Sequence, residues 1–221
     1  MKREIIVTKD GSTTIYFPDL NETYHSKFGA ILESNHVFID MGFKLFINKP
    51  EVSILELGFG TGLNALLTII ASANSQQTIL YTGVDAYPVA TDEINQMNFV
   101  SELQEQIDEE IFTKMHACSW GQKISLTNNF CLTKREQFFQ QIDDQSTFDL
   151  IYFDAFGYRI EPELWSKDIF EKMYQALKPG GVLVTYACRS AVKNDMLSIG
   201  FTVEKLPGAP GKREMLRATK N

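Results

Sequence analysis

No stretch of this 221-residue chain approaches the roughly 20 consecutive apolar residues that a membrane-crossing helix needs. That excludes a helical membrane protein. The opening Met1-Lys2-Arg3-Glu4 leads into a short strand-like run instead of a long apolar region, so a secretory leader is not expected and a cytoplasmic setting is. Cysteine is scarce: Cys118, Cys131 and Cys188 are scattered without the paired spacing of a metal site, and reduced thiols with no bound metal are expected. Positive charge is in deficit, with a formal net charge of -7. A wholly basic nucleic-acid-binding surface is thereby excluded, while a local patch stays open. There is no internal repeat. The length and a 44% hydrophobic content suit one domain, with a small appended piece and no room for a second catalytic domain.

What is present is uneven. Glu102, Glu105, Asp108, Glu109 and Glu110 form an acidic block read as a solvated helix face, whereas Lys205, Lys212, Arg213, Arg217 and Lys220 crowd the last stretch. The most informative segment is Val52 to Gly62, Val-Ser-Ile-Leu-Glu-Leu-Gly-Phe-Gly-Thr-Gly, followed by an apolar helix former from Leu63 to Ile70. It reads as a buried strand, a tight loop and a helix. Glycine at 58, 60 and 62 lets backbone approach a ligand, and the loop would aim its amides and the helix N-terminus at a polar group. A dinucleotide fingerprint, Gly-x-Gly-x-x-Gly, wants glycine where Leu63 stands. The spacing Glu56-x-Gly58-x-Gly60-x-Gly62 instead resembles the first motif of class I S-adenosylmethionine-dependent methyltransferases. That resemblance implies that Glu56 helps hold the amino-acid end of the cofactor and that Gly58, Phe59, Gly60, Thr61 and Gly62 form its loop.

Along the chain, Glu4 to Phe17 reads as a hairpin around Asp10-Gly11. A helix is expected from Ile31 to about Ile47, so residues 1–48 form an N-terminal extension laid on a main domain of residues 49–221. Thr78 to Asp85 is the next strand, and Asp85 at its end is placed to accept hydrogen bonds from ribose hydroxyls. A long helix is expected from Asp92 to about Phe112, with Ile94, Met97, Leu103 and Ile107 on its buried side. Phe130 to Leu132 reads as a short strand. Glu136 is the weak stand-in for an adenine-binding acid after it, which leaves adenine recognition unassigned. Phe148 to Asp154 is apolar on both faces, as a central parallel strand requires, and polarity returns at Asp154 where ligands of open sheets sit. A helix from about Pro162 to Leu177 ends at Lys178-Pro179-Gly180-Gly181. A strand to Tyr186, a short helix over 191–197, and strands Phe201 to Leu206 and Glu214 to Ala218 complete the chain. The alternation predicts an α/β fold: a doubly wound, mostly parallel sheet with an antiparallel edge.

Several stretches together resemble the MnmC-like tRNA methyltransferases. They are Tyr24-His25-Ser26, Glu33 to Ile39, Glu56 to Asn64 with its Phe59 and Asn64, Phe153-Asp154-Ala155-Phe156, Pro162 to Trp165, and Gly211 to Leu216. The sequence departs from that family at Asp85, where glutamate is frequent, at Gly157-Tyr158-Arg159, where Ala-Pro is usual, and at Arg189-Ser190, where Lys-Gly is common. The resemblance implies S-adenosylmethionine as cofactor and tRNA as partner, with methylation of the amine of wobble 5-aminomethyl-2-thiouridine. It further implies a stand-alone methyltransferase whose aminomethyl group comes from separate upstream enzymes.

Asp154 is the expected catalytic group, able to accept a hydrogen bond from the amine and stabilise the developing cation. Phe156, Tyr158 or Trp165 could stack an extruded uridine, although each could equally be core. Tyr24 and Glu33 fold over the cofactor mouth by resemblance; His25 and His36 either do the same or, as the safer reading, are satisfied structural histidines. Lys212 and Arg213 are candidate phosphate contacts. The competing readings are an N-methyltransferase of a small amine, a non-catalytic RNA-binding module and, more remotely, a nicotinamide-dependent reductase.

Overall fold

A computed structural model describes residues 2–104 and 107–221. Met1 of the opening residues and Glu105 of the acidic block lie outside the described residues. Two sheets organise the chain. The smaller is three-stranded: β1 (Glu4–Val7), β2 (Thr13–Phe17) and β3 (Glu22–Thr23). β1 and β2 form the expected hairpin, pairing Glu4 with Tyr16 and Val7 with Thr13, and Gly11 supplies the positive φ of +90° at the turn.

The larger sheet has eight strands. These are β4 (Glu51–Leu57), β5 (Thr78–Asp85), β6 (Lys123–Ser125), β7 (Phe130–Glu136), β8 (Phe148–Phe153), β9 (Leu177–Thr185), β10 (Phe201–Pro207) and β11 (Glu214–Lys220). They lie in the order β10-β11-β9-β8-β4-β5-β7-β6. β9, β8, β4, β5 and β7 are parallel; the central β4 and β8 are covered on both faces, which is why these two read as mainly apolar runs. β10 and β11 supply the antiparallel edge. At the other edge β6 pairs antiparallel with β7, a strand too short and polar to show in the sequence. The sheet's strand order reverses between β4 and β8, where a doubly wound fold opens its ligand crevice.

Helices α2 (Leu63–Ser72), α5 (Glu109–Ala117), α6 (Lys167–Ala176) and α7 (Ser190–Ile199) cover the sheet, with the short α1 (Ala30–Ser34), α3 (Thr91–Ile94) and α4 (Phe99–Glu102). Three expected helices differ: the one over 162–177 is a 3-10 turn, Pro162–Trp165, followed by α6, and Lys178 to Gly181, expected as its stop, lies inside β9. The segment from Ile31 to Ile47 is α1, then a π-helical turn over Asn35–Asp40, then a 3-10 turn over Phe43–Phe46. Three consecutive apolar residues, Val37, Phe38 and Ile39, are all buried, which a 3.6-residue period with one apolar face does not deliver. Their core is shared with the main sheet: the Phe38 ring lies 5.1 Å from that of Tyr152 on β8.

The expected long helix over 92–112 is broken into α3, α4 and the start of α5, although Ile94, Leu103 and Ile107 are buried as read. Asn98 explains one break. Its Nδ2 donates to the Gly11 carbonyl at 2.9 Å, and its Oδ1 accepts from the Thr13 amide at 2.7 Å, so the chain leaves the helical path to fasten the N-terminal hairpin. Among the described residues no helix is long and apolar enough to cross a membrane.

Candidate functional site

The chain turns at Gly58 immediately beyond β4, and β8 delivers Asp154 beside it. Gly58 has φ +89°, and a Cβ there would stand 2.5 Å from the Asp154 carbonyl oxygen. Gly60, at φ +50°, faces the Tyr24 ring, with 3.1 Å left for a Cβ. The glycines therefore serve close packing of protein on the loop. Its amides are also largely used: Gly58 and Phe59 donate to the Val84 carbonyl at 2.9 and 3.1 Å, Gly62 to Phe59, and Gly60 to Asp85 Oδ2 at 2.9 Å. The expectation that the loop points these amides at a ligand is corrected. A pyrophosphate would find few free donors here, whereas a ligand without phosphate needs none.

Beside the loop opens a cavity of about 1020 Å³, at the upper end of the range for small-molecule sites. Tyr24, Glu33, Gly58, Phe59, Gly60, Thr61, Asp85, Asp154, Phe156 and Lys212, all singled out in the sequence, line it together. Three others do not. Gly62 is turned away toward Met115, Arg213 is exposed on the β10–β11 turn, and Glu56 lies wholly buried beneath the loop. Glu56 thus supports the loop from below: its Oε2 accepts from the Tyr81 hydroxyl and its Oε1 from Asn64 Nδ2, each at 2.8 Å. Burial pushes its carboxyl well above the usual range.

Asn64 is the residue that sequence reasoning left without a role. The same Nδ2 that serves Glu56 also donates to Asp154 Oδ2 at 2.8 Å, so one amide holds two carboxyls from two strands. A polar residue buried in the apolar first turn of α2 was the signal. Burial raises Asp154 to about 7, against the Asn64 bond and the Lys212 charge, which favour its ionised form. Asp85 accepts from two backbone amides, Gly60 at Oδ2 and Tyr87 at Oδ1, both at 2.9 Å. These fix the carboxylate at the cavity wall with lone pairs to spare.

The opposite wall comes from the first 30 residues. Tyr24 stacks on Phe17 at 5.6 Å and meets Phe156 edge-on at 5.0 Å, giving an aromatic face that joins the N-terminal sheet to the β8 loop. Glu33 accepts from the Ser26 amide at 2.8 Å and is ion-paired with Lys212, whose ammonium also sits 3.9 Å over the Tyr186 ring. Lys212 is therefore a cavity residue. Tyr186, unrecognised in the sequence, is fixed by donating to the Ala155 carbonyl at 2.8 Å.

Of the other aromatics, Trp165 is core and donates to the Phe156 carbonyl, while Tyr158 lies under the Arg189 guanidinium, outside the cavity. His25 is buried with Thr14 Oγ1 3.1 Å from Nδ1, and burial lowers it to about 4. His36 Nε2 donates to the Pro207 carbonyl at 2.8 Å. Each thus has a partner within the fold, and His25 also lines the cavity. Glu136 is exposed and does not line the cavity, which is closed at that end by Phe138, Phe139 and Gln140.

The lining carries six carboxylates, Glu22, Glu33, Asp85, Asp154, Glu161 and Glu163, against three cations, Arg3, Lys27 and Lys212. That balance suits a cationic ligand and repels a polyphosphate. S-adenosylmethionine, a phosphate-free sulfonium with an adenosine group, fits this donor set on both counts.

A family model described as S-adenosyl-L-methionine-dependent methyltransferase matches residues 94–221. The chain is 28% identical over 218 residues to the tRNA 5-methylaminomethyl-2-thiouridine biosynthesis bifunctional protein MnmC of Delftia acidovorans, covering 93% of this chain and 33% of that protein. It is 29% identical to the MnmC protein of Magnetococcus marinus, over 92% of this chain and 32% of that one. The chain thus spans about a third of the length of the curated relatives it matches. Among solved structures, MnmC2 from Aquifex aeolicus superposes with a TM-score of 0.75 at 20% identity, covering all of this chain and 70% of that one. Spermidine synthase from Thermotoga maritima gives 0.55 at 12% identity, over 95% and 69%. At those identities the structures speak for the fold alone.

Proposed function

Because the chain belongs to the S-adenosyl-L-methionine-dependent methyltransferase family, we propose that it methylates the aminomethyl group of wobble 5-aminomethyl-2-thiouridine in tRNA, yielding the methylaminomethyl nucleoside. The observation that carries this reading is Asp154: a carboxyl raised to about 7, oriented by Asn64, on the wall of an acid-rich cavity with an aromatic face. The similarity to MnmC proteins over most of the chain supports the substrate.

The cofactor supplies an electrophilic methyl group on a sulfonium. The chain's own residues have to hold the amine neutral, aim its lone pair and keep water out. Above about pH 7 Asp154 is ionised and accepts a hydrogen bond from the amine, then stabilises or takes up the proton as the nitrogen becomes cationic. Asp85 offers acceptors suited to ribose hydroxyls, and Gly58 to Thr61 shape the adjoining wall. Tyr24, Phe156 and Phe17 give a base that has left its stack a face to lie on. The Glu33–Lys212 pair lines the same cavity, where the Lys212 charge favours ionised Asp154 and that of Glu33 opposes it. A cytoplasmic enzyme working after separate aminomethyl-forming enzymes is the setting that accompanies this reading.

Mass analysis of wobble nucleosides from cells lacking the protein tests it. Accumulated 5-aminomethyl-2-thiouridine is expected, and an unchanged profile counts decisively against the substrate. The carboxylate excess of the cavity would also serve a free amine. Methyl transfer to free amines but not to undermodified tRNA would establish that second reading.

A further inference from the structure

The protein is acidic overall, yet cations gather on aromatic rings at one side of the cavity mouth. The Lys9 amide donates to the Lys27 carbonyl at 3.1 Å, which sets the two lysines side by side at the edge of the small sheet. The Lys9 ammonium stands 4.3 Å over the Phe28 ring, and that of Lys27 stands 4.3 Å over the Tyr16 ring. Phe28 is 45% exposed. The ring also packs on the β10–β11 turn: Gly211, at φ +86°, leaves no room for a Cβ against Phe28. That contact seats the β10–β11 turn, which carries exposed Arg213 two residues further on, against the Lys27-Phe28 segment. Lys27, Phe28 and Gly211 also line the cavity, so the strip begins at the mouth and runs outward to Lys9 and Arg213.

These cations are uncommitted. Among the described residues Lys9, Lys27 and Arg213 enter no ion pair. The neighbouring acids are taken: Asp10 accepts from Thr8, Ser12 and the Leu32 amide, and Glu33 holds Lys212. An unpaired cation over a half-exposed ring offers one ligand class two things it needs, a charge for a phosphate and a flat face for an unstacked base. Elsewhere the mouth carries Glu161 and Glu163, which repel phosphate.

We infer that the strip of Lys9, Lys27, Phe28 and Arg213 is the docking surface for the single-stranded RNA flanking the modified nucleotide. The inference rests on the reading of the substrate as a tRNA wobble uridine and adds the side from which the strand enters. A paired stem cannot use the Phe28 face, because its bases are already stacked; an anticodon loop can.

The test is binding of a synthetic undermodified anticodon stem-loop across a salt series, with S-adenosylmethionine binding measured by calorimetry on the same samples. Lys9→Ala/Arg213→Ala removes two phosphate contacts outside the cavity. It should lower the slope of log affinity against log salt by about 1.4, at about 0.7 per single-strand phosphate. Phe28→Ala should weaken binding roughly 5- to 100-fold. Cofactor affinity should be unchanged in Lys9→Ala/Arg213→Ala, and a urea-unfolding midpoint close to wild type shows that Phe28→Ala, a residue of the cavity mouth, is folded. Variants that bind the stem-loop as wild type does, with the same slope, overturn the docking surface and leave the proposed activity standing. Equal competition by a fully paired RNA overturns the single-strand requirement. Wild type that methylates free amines and ignores tRNA fails at the proposed function itself, and the docking surface falls with it.

Discussion

Replacing Asn64 by leucine is the most incisive perturbation of the site, because one nitrogen is shared by two carboxyls. Its Nδ2 lies 2.8 Å from both Glu56 Oε1 and Asp154 Oδ2. Leucine is of similar size and keeps the apolar packing of α2, but both carboxyls lose a donor. A buried acceptor left without its partner costs about 1–3 kcal/mol, so the pair of losses amounts to roughly 2–6 kcal/mol. That is a large fraction of the approximately 5–15 kcal/mol stability of a typical domain.

The second consequence is electrostatic. The Asn64 bond favours ionised Asp154, and a hydrogen bond to a charged group is worth about 1.5–3 kcal/mol, so its loss should raise the Asp154 midpoint by roughly one to two pH units. Glu33, Lys212, Tyr186 and buried Glu56 also face this carboxyl and stay in place. In wild type, single-turnover methyl transfer at saturating cofactor should rise with pH through about 7, as Asp154 loses its proton. In Asn64→Leu that midpoint should move up, with a urea-unfolding midpoint that moves down. Asn64→Asp, which keeps the shape and substitutes a like charge for the donor, should move it at least as far. Glu56→Gln keeps the acceptor that Asn64 uses and should leave the midpoint within a few tenths of a unit. A folded Asn64→Leu enzyme whose midpoint stays at about 7 would refute the reasoning. So would a Glu56→Gln enzyme that shifts as far as Asn64→Leu.

Three other outcomes are expected. Gly58→Ala combines a φ of +89° with a Cβ 2.5 Å from the Asp154 carbonyl, and should lower unfolding free energy by more than about 2 kcal/mol in urea titrations; a neutral result would mean that the loop adapts. Asp85→Asn can accept only one of the two amide hydrogen bonds, and should weaken S-adenosylmethionine binding roughly tenfold, about 1.4 kcal/mol, by calorimetry; unchanged affinity would remove Asp85 from the site. His25 sits at about 4 in the fold, below its ordinary 6.5, so its neutral form is the native one. Stability from that source is whole above pH 6.5 and is lost as pH falls through 4, reaching about 3 kcal/mol. Urea midpoints at pH 7 and 4.5 should show this loss in wild type and less of it in His25→Gln.

The strands and the glycine loop were legible because their information is local. Apolar runs broken by glycine fix where β4 ends and α2 begins, and β5 spans Thr78–Asp85 as the sequence reads. Asp154 and Asp85 follow from that framework, since acids at carboxyl ends of parallel strands arrive at the same crevice. The helix over 92–112 was misread for a reason no window could contain: Asn98 is held by Gly11 and Thr13, 85 residues and more away.

The sequence by itself determined the alternation of strands and helices, the doubly wound sheet and the two acids that frame the crevice, because each depends on the period and end of a short segment. Only the tertiary structure decided that Glu56 works beneath the loop and that Asn64 ties it to Asp154 across 90 residues. The same holds for Lys212, which turns inward to Glu33, and for the hairpin, which gives the cavity its aromatic wall. Those are matters of which side chains meet, and a carboxyl or an ammonium acquires its chemistry from the partner that burial leaves beside it.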